Sequence, residues 1–251
     1  MEKARQISRR TWLARVAFGS FAIWNEVNFG LGRRGWSIAI GGSDLATGVA
    51  HAQNLGAVEA LRVNLGIVNA YVLIRGKEAA VVDTGTPGNA TKIAEIVRNA
   101  GLGWDAVHHV ILTHYHSDHI GSVGDVLAAA TKATAYAGAA DIPQIKSPRA
   151  LKAVGDNDEV FGLRVISTPG HTPGHVCVFD PAGSLLILGD AMNNTGNKLA
   201  GPSPQYSSDI ALANQSVKKL AQLTFQRALF GHGEPIDKSA SQAIAKLAGT
   251  L

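Results

Sequence analysis

Five short apolar runs each stop just before a histidine or an aspartate, and this arrangement constrains the fold more than any other feature of the sequence. The polar residues that follow the runs are Asp83, His114, His171, Asp190 and His232. Short apolar runs of this kind are typical of buried strands. Strand ends that meet at one edge would place these polar groups around a single cleft, on loops held by a rigid sheet.

Helical patterns lie between the apolar runs and predict a layered α/β fold. The predicted strands cover residues 71–74, 79–82, 110–113, 163–167, 176–179, 185–188 and 228–230. A helix is predicted over residues 91–100, where the apolar residues share one face and Gly101 can end the helix. Asp209 is predicted to cap the N-terminus of a second helix.

Residues 114–119 supply three imidazoles and one carboxylate within six positions, which is a dense set of metal ligands. The donors are His114, His116, Asp118 and His119. Neutral imidazole and carboxylate suit zinc, iron or manganese. Histidines at i and i+2 point the same way in an extended segment. The Asp-His pair can then turn toward a second centre as the chain enters a helix, a turn that Gly121 is predicted to ease.

Further motifs accompany this segment in the order of a known family. V-V-D-T-G lies at residues 81–85, P-G-H-T-P-G-H at 169–175, G-D at 189–190 and G-H-G at 231–233. With H-x-H-x-D-H at 114–119, the pattern resembles the metallo-β-lactamase superfamily over residues 65–235. The resemblance implies an αββα sandwich, in which two mixed sheets are flanked by helices and the site lies at one edge.

The resemblance also assigns roles to individual residues. The implied ligands of one metal ion are His114, His116 and His171, those of a second ion are Asp118, His119 and His232, and Asp190 bridges both. Asp83 resembles a carboxylate that braces the loop at residues 114–119 without binding metal. His175 is predicted to be a structural neighbour of the ligands, because a Pro-Gly pair separates it from His171.

The implied ligand set favours a hydrolase with two divalent metal ions, which we expect to be zinc, with iron or manganese as alternatives. The resemblance implies that a metal-bound hydroxide attacks a small ester, thioester or lactone, and that Asp118 acts as the catalytic proton shuttle. Asp190 together with His119 points to the glyoxalase II and lactonase branch rather than to a β-lactamase. A persulfide dioxygenase-like oxidoreductase with one iron is the alternative, and a phosphodiesterase is disfavoured. The segment 193–206 is predicted to shape the substrate pocket.

Residues 1–52 have the pattern of an export leader that precedes a hydrolase domain at residues 53–251. S-R-R-T-W-L at residues 8–13 resembles the bacterial twin-arginine motif, and A-H-A at 50–52 fits a cleavage site. This pattern predicts a periplasmic or exported protein, with an N-terminal helix packed on the domain as the alternative. The apolar run of about a dozen residues is shorter than the ~20 of a spanning helix, so no stable membrane anchor is expected after leader removal.

The formal net charge of +4 lies entirely in the predicted leader. Residues 1–52 hold seven of the 23 basic and three of the 19 acidic side chains, and the remaining 16 of each sign cancel. A neutral domain provides little attraction for polyanionic nucleic acid. We therefore expect a small-molecule substrate and no nucleic-acid partner.

Overall fold

The computed structural model describes residues 56–251, and the predicted leader with its cleavage point lies outside them. The export and domain-boundary assignments therefore stay predictions. The strands are β1 (Glu59–Asn64), β2 (Asn69–Arg75), β3 (Glu78–Val82), β4 (Val107–Leu112), β5 (Thr134–Gly138), β6 (Lys152–Val154), β7 (Glu159–Val160), β8 (Leu163–Ser167), β9 (Val176–Asp180), β10 (Leu185–Ile187) and β11 (Arg227–Leu229). The α-helices are α1 (Ala90–Asn99), α2 (Ser117–Ile120), α3 (Val123–Ala129), α4 (Ile210–Leu220) and α5 (Ala240–Ala248).

These strands form two mixed sheets. The first has the order β1-β2-β3-β4-β5-β6 and the second β11-β10-β9-β8-β7. Strands β3 to β6 run parallel to one another, and β10 runs parallel to β11, whereas the other pairs are antiparallel. Helices cover the outer face of each sheet, which confirms the predicted αββα sandwich.

Alternating side chains divide the interior into three apolar layers. On β4, Ile111 points between the two sheets, whereas its neighbours Val110 and Leu112 pack beneath α1 and α3. On β9, Val178 joins the layer between the sheets and Cys177 packs toward α4 and α5. Because side chains alternate between the two faces of a strand, apolar residues at consecutive positions predict strands buried on both faces.

The predicted elements differ from the observed ones mainly at their ends. The prediction for residues 163–167 matches β8, whereas that for residues 110–113 misses the start of β4 and includes Thr113, which follows the strand. Asp209 caps α4 as predicted, because its side chain accepts a hydrogen bond from the amide of Leu212 at 2.9 Å. Gly101 follows α1 with a φ of +76°, which fits its predicted role at the end of the helix.

The sandwich brings together the C-terminal ends of five strands from both sheets. β3 and β4 belong to the first sheet, and β8, β10 and β11 belong to the second. These ends lead into the loops that carry the histidines and aspartates identified from the sequence. None of the helices within residues 56–251 has the length and apolar character needed to cross a membrane.

We expect Ile111→Ala to lower the free energy of unfolding by about 2–5 kcal/mol, because it opens a cavity between the sheets where collapse is restricted. Ile111 is fully buried in β4, which has a neighbouring strand on each side. Urea unfolding monitored by circular dichroism measures the loss. Leu212→Ala, on the more exposed surface of α4, is the control and should cost much less. Equal losses in the two variants would contradict the assignment of this core layer.

Candidate metal centre

Loops after five strands carry the predicted site residues. Asp83 follows β3 directly, and the segment at residues 114–119 begins two residues after β4. His116 has an extended backbone and precedes α2, so the Asp-His pair enters a short helix as the sequence predicted. His171 lies in the turn between β8 and β9. The last two donors, Asp190 and His232, follow the parallel neighbours β10 and β11, each three residues beyond its strand.

The seven predicted ligands form two groups whose donor atoms lie within 4.8 Å of one another in each group. The first group contains His114, His116, His171 and Asp190, and the second contains Asp118, His119 and His232. The six histidine and aspartate residues other than Asp190 divide as the family resemblance implies, and Asp190, the implied bridge, falls in the first group. His114 and His119 are fully buried, whereas the side chains of Asp118 and His232 are 28% exposed.

In the first group, three ring nitrogens face one another. Nδ1 of His116 lies 3.1 Å from Nε2 of His114 and 3.0 Å from Nε2 of His171. Three imidazole nitrogens at such distances cannot all be satisfied by protons held among themselves, because each contact takes one donor and one acceptor. A cation among them would use all three lone pairs.

The Asp190 carboxylate lies between the two groups. Its Oδ2 atom is 3.5 Å from Nε2 of His171 and 3.2 Å from Nε2 of His232, so that one oxygen contacts both groups. Its Oδ1 atom is 3.2 Å from Nε2 of His119, yet it is buried and has no hydrogen-bond partner. An unpartnered buried carboxylate oxygen is costly, and a cation at this position would remove the cost.

Hydrogen bonds outside the two groups fix which nitrogen of each ring is free. Nδ1 of His119 donates to Oδ2 of Asp83 at 2.8 Å, and Nδ1 of His232 donates to the carbonyl of Ile67 at 2.6 Å. Both rings therefore present Nε2 to the centre without a proton when they are neutral. A partner that holds one ring nitrogen in this way is the usual support of a metal-binding histidine.

Two hydroxyl groups likewise accept the Nδ1 proton of a histidine in the first group. Oγ1 of Thr113 donates to Asp83 at 2.8 Å and therefore accepts from Nδ1 of His114 at 2.9 Å. Oγ of Ser207 donates to the carbonyl of Ser203 at 2.7 Å and accepts from Nδ1 of His171 at 3.3 Å. These hydroxyls leave Nε2 of each ring free, whereas His116 presents Nδ1.

Asp83 and His175 support the ligands from outside the two groups. Besides its contacts with the Thr113 hydroxyl and His119, Asp83 accepts the amide of Thr113 at 2.8 Å. Nε2 of His175 accepts the amide of Asp190 at 3.1 Å, and its Nδ1 faces the hydroxyl of Thr168 at 2.8 Å. The geometry of both residues fits the supporting role that the sequence predicted for them.

The carboxylates of the site favour positive charge on the imidazole rings beside them, whereas burial opposes it. Burial lowers the pKa of His114 well below its ordinary value and that of His171 to about 4. Burial acts in the same direction on His119 and His232, but nearby carboxylates outweigh it. They raise the pKa of His119 well above its ordinary value and that of His232 to about 10. Burial opposes the charge of Asp190, yet contact with His119 holds its pKa well below the ordinary range.

These residues fit divalent metal ions. The two groups supply imidazole and carboxylate donors, outside partners hold the proton of four of the five rings away from the centre, and Oδ1 of Asp190 lacks a partner. Imidazole and carboxylate together are the donors that zinc, iron and manganese accept.

Sequence reasoning missed several residues that shape the centre. Asp141 accepts the hydroxyl of Thr172 and the amide of Gly174, both at 2.6 Å, and so braces the loop that carries His171. A Cβ atom on Gly231 would lie 2.2 Å from Oδ1 of Asp190, so only glycine fits there. Its place in the G-H-G motif was the signal for this residue, whereas Asp141 gave none.

Gly121 has a different role from the predicted one. Its φ of −61° is an ordinary helical value, so the turn that carries the Asp-His pair into α2 does not use the backbone freedom of glycine, and that prediction was wrong. A Cβ atom here would lie 2.5 Å from the side chain of Pro87 and 2.7 Å from the carbonyl of Ser117. Gly121 thus permits close packing rather than an unusual backbone conformation.

Comparison with known proteins gives a family for this arrangement. The profile described as the metallo-β-lactamase superfamily matches residues 63–232. The chain is 32% identical to a hydroxyacylglutathione hydrolase of Prochlorococcus marinus over 139 residues, which cover 50% of this chain and 51% of that protein. It is 28% identical to thioesterase pkgB of Emericella nidulans over 172 residues, 67% of this chain and 46% of that protein. The chain thus spans about half the length of these curated relatives.

A solved structure agrees with the fold. The crystal structure of TTHA1623 in a di-iron-bound form superposes with a TM-score of 0.63 at 24% identity, covering 77% of this chain and 100% of that chain. Identity at this level shows a shared fold and nothing finer.

We expect Thr113→Val to weaken metal binding by about 10- to 100-fold, because His114 loses the group that fixes its free nitrogen and Asp83 loses a hydrogen bond. Competition with a chelator measures the affinity of the full-length protein. Thr134→Val, at an exposed position of β5, keeps the chemistry of the change and should bind metal like the wild type. Unchanged affinity in Thr113→Val would contradict the support of His114 by this hydroxyl.

Proposed function

We propose that this chain, which belongs to the metallo-β-lactamase superfamily, hydrolyses a small ester, thioester or lactone with the help of two divalent metal ions. The observation that carries the proposal is the pair of donor groups with Asp190 between them. The names of two relatives, a hydroxyacylglutathione hydrolase and a thioesterase, support hydrolysis of an acyl bond. In this reaction water adds across the carbonyl–heteroatom bond and gives a carboxylic acid and an alcohol or a thiol.

We assign one ion to His114, His116 and His171, the other to Asp118, His119 and His232, with Asp190 shared. Zinc is the metal we propose, because imidazole-rich sites suit it, and iron or manganese is the alternative because both also accept imidazole and carboxylate donors. When bound, such ions supply Lewis acidity that polarises a carbonyl group and makes water a nucleophile near neutral pH.

Within this proposal, Asp118 moves the proton. Its carboxylate is partly exposed and lines a cavity beside the site together with His116 and His232. Oδ2 of Asp118 lies 3.3 Å from Nε2 of His232, and contact with this ring in its protonated form lowers the pKa of Asp118. An ionised carboxylate at the cavity wall can accept a proton from water and return it to the leaving group.

The second donor group favours the hydrolase over an oxidoreductase with one iron. A mononuclear centre needs only the first group, whereas Asp118, His119 and His232 converge as closely as the first group does. The neutral charge balance of residues 53–251 likewise favours a small-molecule substrate over nucleic acid.

Metal content and substrate range test the proposal together. We expect elemental analysis of the full-length protein, purified without added metal, to give about two equivalents per chain. A panel of esters, thioesters and lactones should then include hydrolysed compounds. About one equivalent of iron, with oxygen consumption in the presence of a persulfide, would replace the proposal with the oxidoreductase. A protein that neither retains nor rebinds metal would overturn the ligand assignment.

We expect Asp190→Ala to lower metal content and kcat/KM together, the latter by at least about 100-fold, because both ions lose a shared carboxylate. Asp125→Ala, at an exposed position of α3, removes the same group elsewhere and should change neither quantity. Elemental analysis and steady-state kinetics on both variants make the comparison. Full activity in Asp190→Ala would exclude the bridging role.

A further inference from the structure

A cavity of about 560 Å³ opens beside the metal centre and is the place where the part of a substrate remote from the reacting bond would lie. Its wall includes the ligands His171, Asp190 and His232 on one side. The other charged residues of the wall, within the part of the chain that the structure describes, are Arg62 and Glu234. Whether this cavity accepts a charged substrate therefore depends on whether these two side chains are paired with each other or free to contact the substrate.

Neighbouring groups accept hydrogen bonds from four of the five N–H groups of the Arg62 guanidinium. Its two terminal nitrogens both contact the Glu234 carboxylate, one of them at 3.0 Å from Oε1. Nε donates to Oδ1 of Asn69 at 2.8 Å, and one terminal nitrogen also reaches the carbonyl of Gly233 at 3.2 Å. A guanidinium paired in this two-pronged way with a carboxylate has little capacity left for a second anion.

The remaining wall is neutral and partly apolar. Asn193, Thr195 and Ser203 contribute uncharged polar groups. Ile67 is 73% exposed and Tyr206 is 62% exposed, and both line this cavity and the neighbouring one that contains Asp118. These are the two most exposed large hydrophobic side chains within residues 56–251. Exposed apolar groups at the wall of a cavity are typical of a binding surface rather than of an ordinary protein surface.

We propose that Glu234 determines which substrate charge the cavity accepts, because its carboxylate neutralises Arg62. The cavity is then suited to an uncharged acyl compound whose apolar group lies between Ile67 and Tyr206. The inference rests on the proposed hydrolase function and narrows its substrate class. It sets this chain apart from an enzyme that recognises a carboxylate-bearing thiol such as glutathione at this wall. Glu234 acts through Arg62, so it is a specificity-determining residue and takes no part in the reaction.

Two thioesters with the same acyl group test the inference. One carries the uncharged leaving group N-acetylcysteamine, and the other carries glutathione, which has two carboxylates. With metal-loaded full-length protein, we expect kcat/KM to favour the uncharged thioester by about tenfold, because the carboxylates of glutathione find no free cation at this wall. Equal values, or a preference for the glutathione thioester, would overturn the inference.

Substitution of Glu234 should shift this preference. Glu234→Gln frees Arg62, and we expect it to raise the ratio of glutathione to N-acetylcysteamine kcat/KM by about fivefold. The double variant Arg62→Gln, Glu234→Gln removes the cation as well and should lose that gain. Asp237→Asn breaks the ion pair with Arg227, which does not line this cavity, and should leave the ratio unchanged. A ratio that does not move in Glu234→Gln would overturn the role of Glu234.

A binding measurement separates failure of this inference from failure of the proposed function. Thioether analogues of the two thioesters cannot be hydrolysed, and calorimetry gives their Kd values for wild type and Glu234→Gln. If neither thioester is hydrolysed, the proposed function is wrong for thioesters, while the Kd ratio still tests the charge selectivity. The inference is supported if the wild type binds the uncharged analogue more tightly and Glu234→Gln shows a smaller preference for it. Tighter binding of the glutathione analogue by the wild type overturns the inference.

Discussion

The candidate metal centre depends on the hydrogen bonds that the Asp83 carboxylate accepts. This carboxylate lies between the ends of β3 and β4, where it accepts the amide and hydroxyl of Thr113 and the Nδ1 proton of His119. Through the Thr113 hydroxyl it also fixes His114. One buried side chain thus orients a histidine of each donor group, and it does so from a backbone position with a φ of 59° that few residues other than glycine adopt.

The sandwich supplies the rest of the geometry. Parallel pairing of β3 with β4 and of β10 with β11 directs their following loops to the same edge. The layer between the sheets is mainly apolar along these strands, and the polar donors lie in the loops beyond the C-terminal ends of the strands. Stability therefore depends on the strands and chemistry on the loops that follow them, an arrangement that lets a common fold support many activities.

Much of this organisation was predictable from sequence, because donors that follow apolar runs leave a local pattern. The strands on which the prediction relied are present. Six of the seven donors divide as the resemblance implies, and Asp190 contacts both groups. β1 was missed because it is an edge strand with mostly half-buried residues, and β5 because alanine and glycine give little apolar signal. The Ile67 carbonyl and the Ser207 hydroxyl were missed because contacts between distant loops leave no pattern in the chain.

The hydrogen bond from His232 to the Ile67 carbonyl joins two functions that are usually considered separately. The carbonyl belongs to Ile67 in the turn between β1 and β2, and the apolar side chain of Ile67 lines the cavity of the proposed substrate. The imidazole of His232 faces the candidate metal centre. An interaction that orders this turn therefore also orients the His232 imidazole, and by thermodynamic linkage an interaction that orients the imidazole also orders the turn. In the proposed hydrolase, a metal ion on this imidazole and a substrate in this cavity would contact the same loop, and we expect each to increase the affinity for the other to the extent that it rigidifies this hydrogen bond.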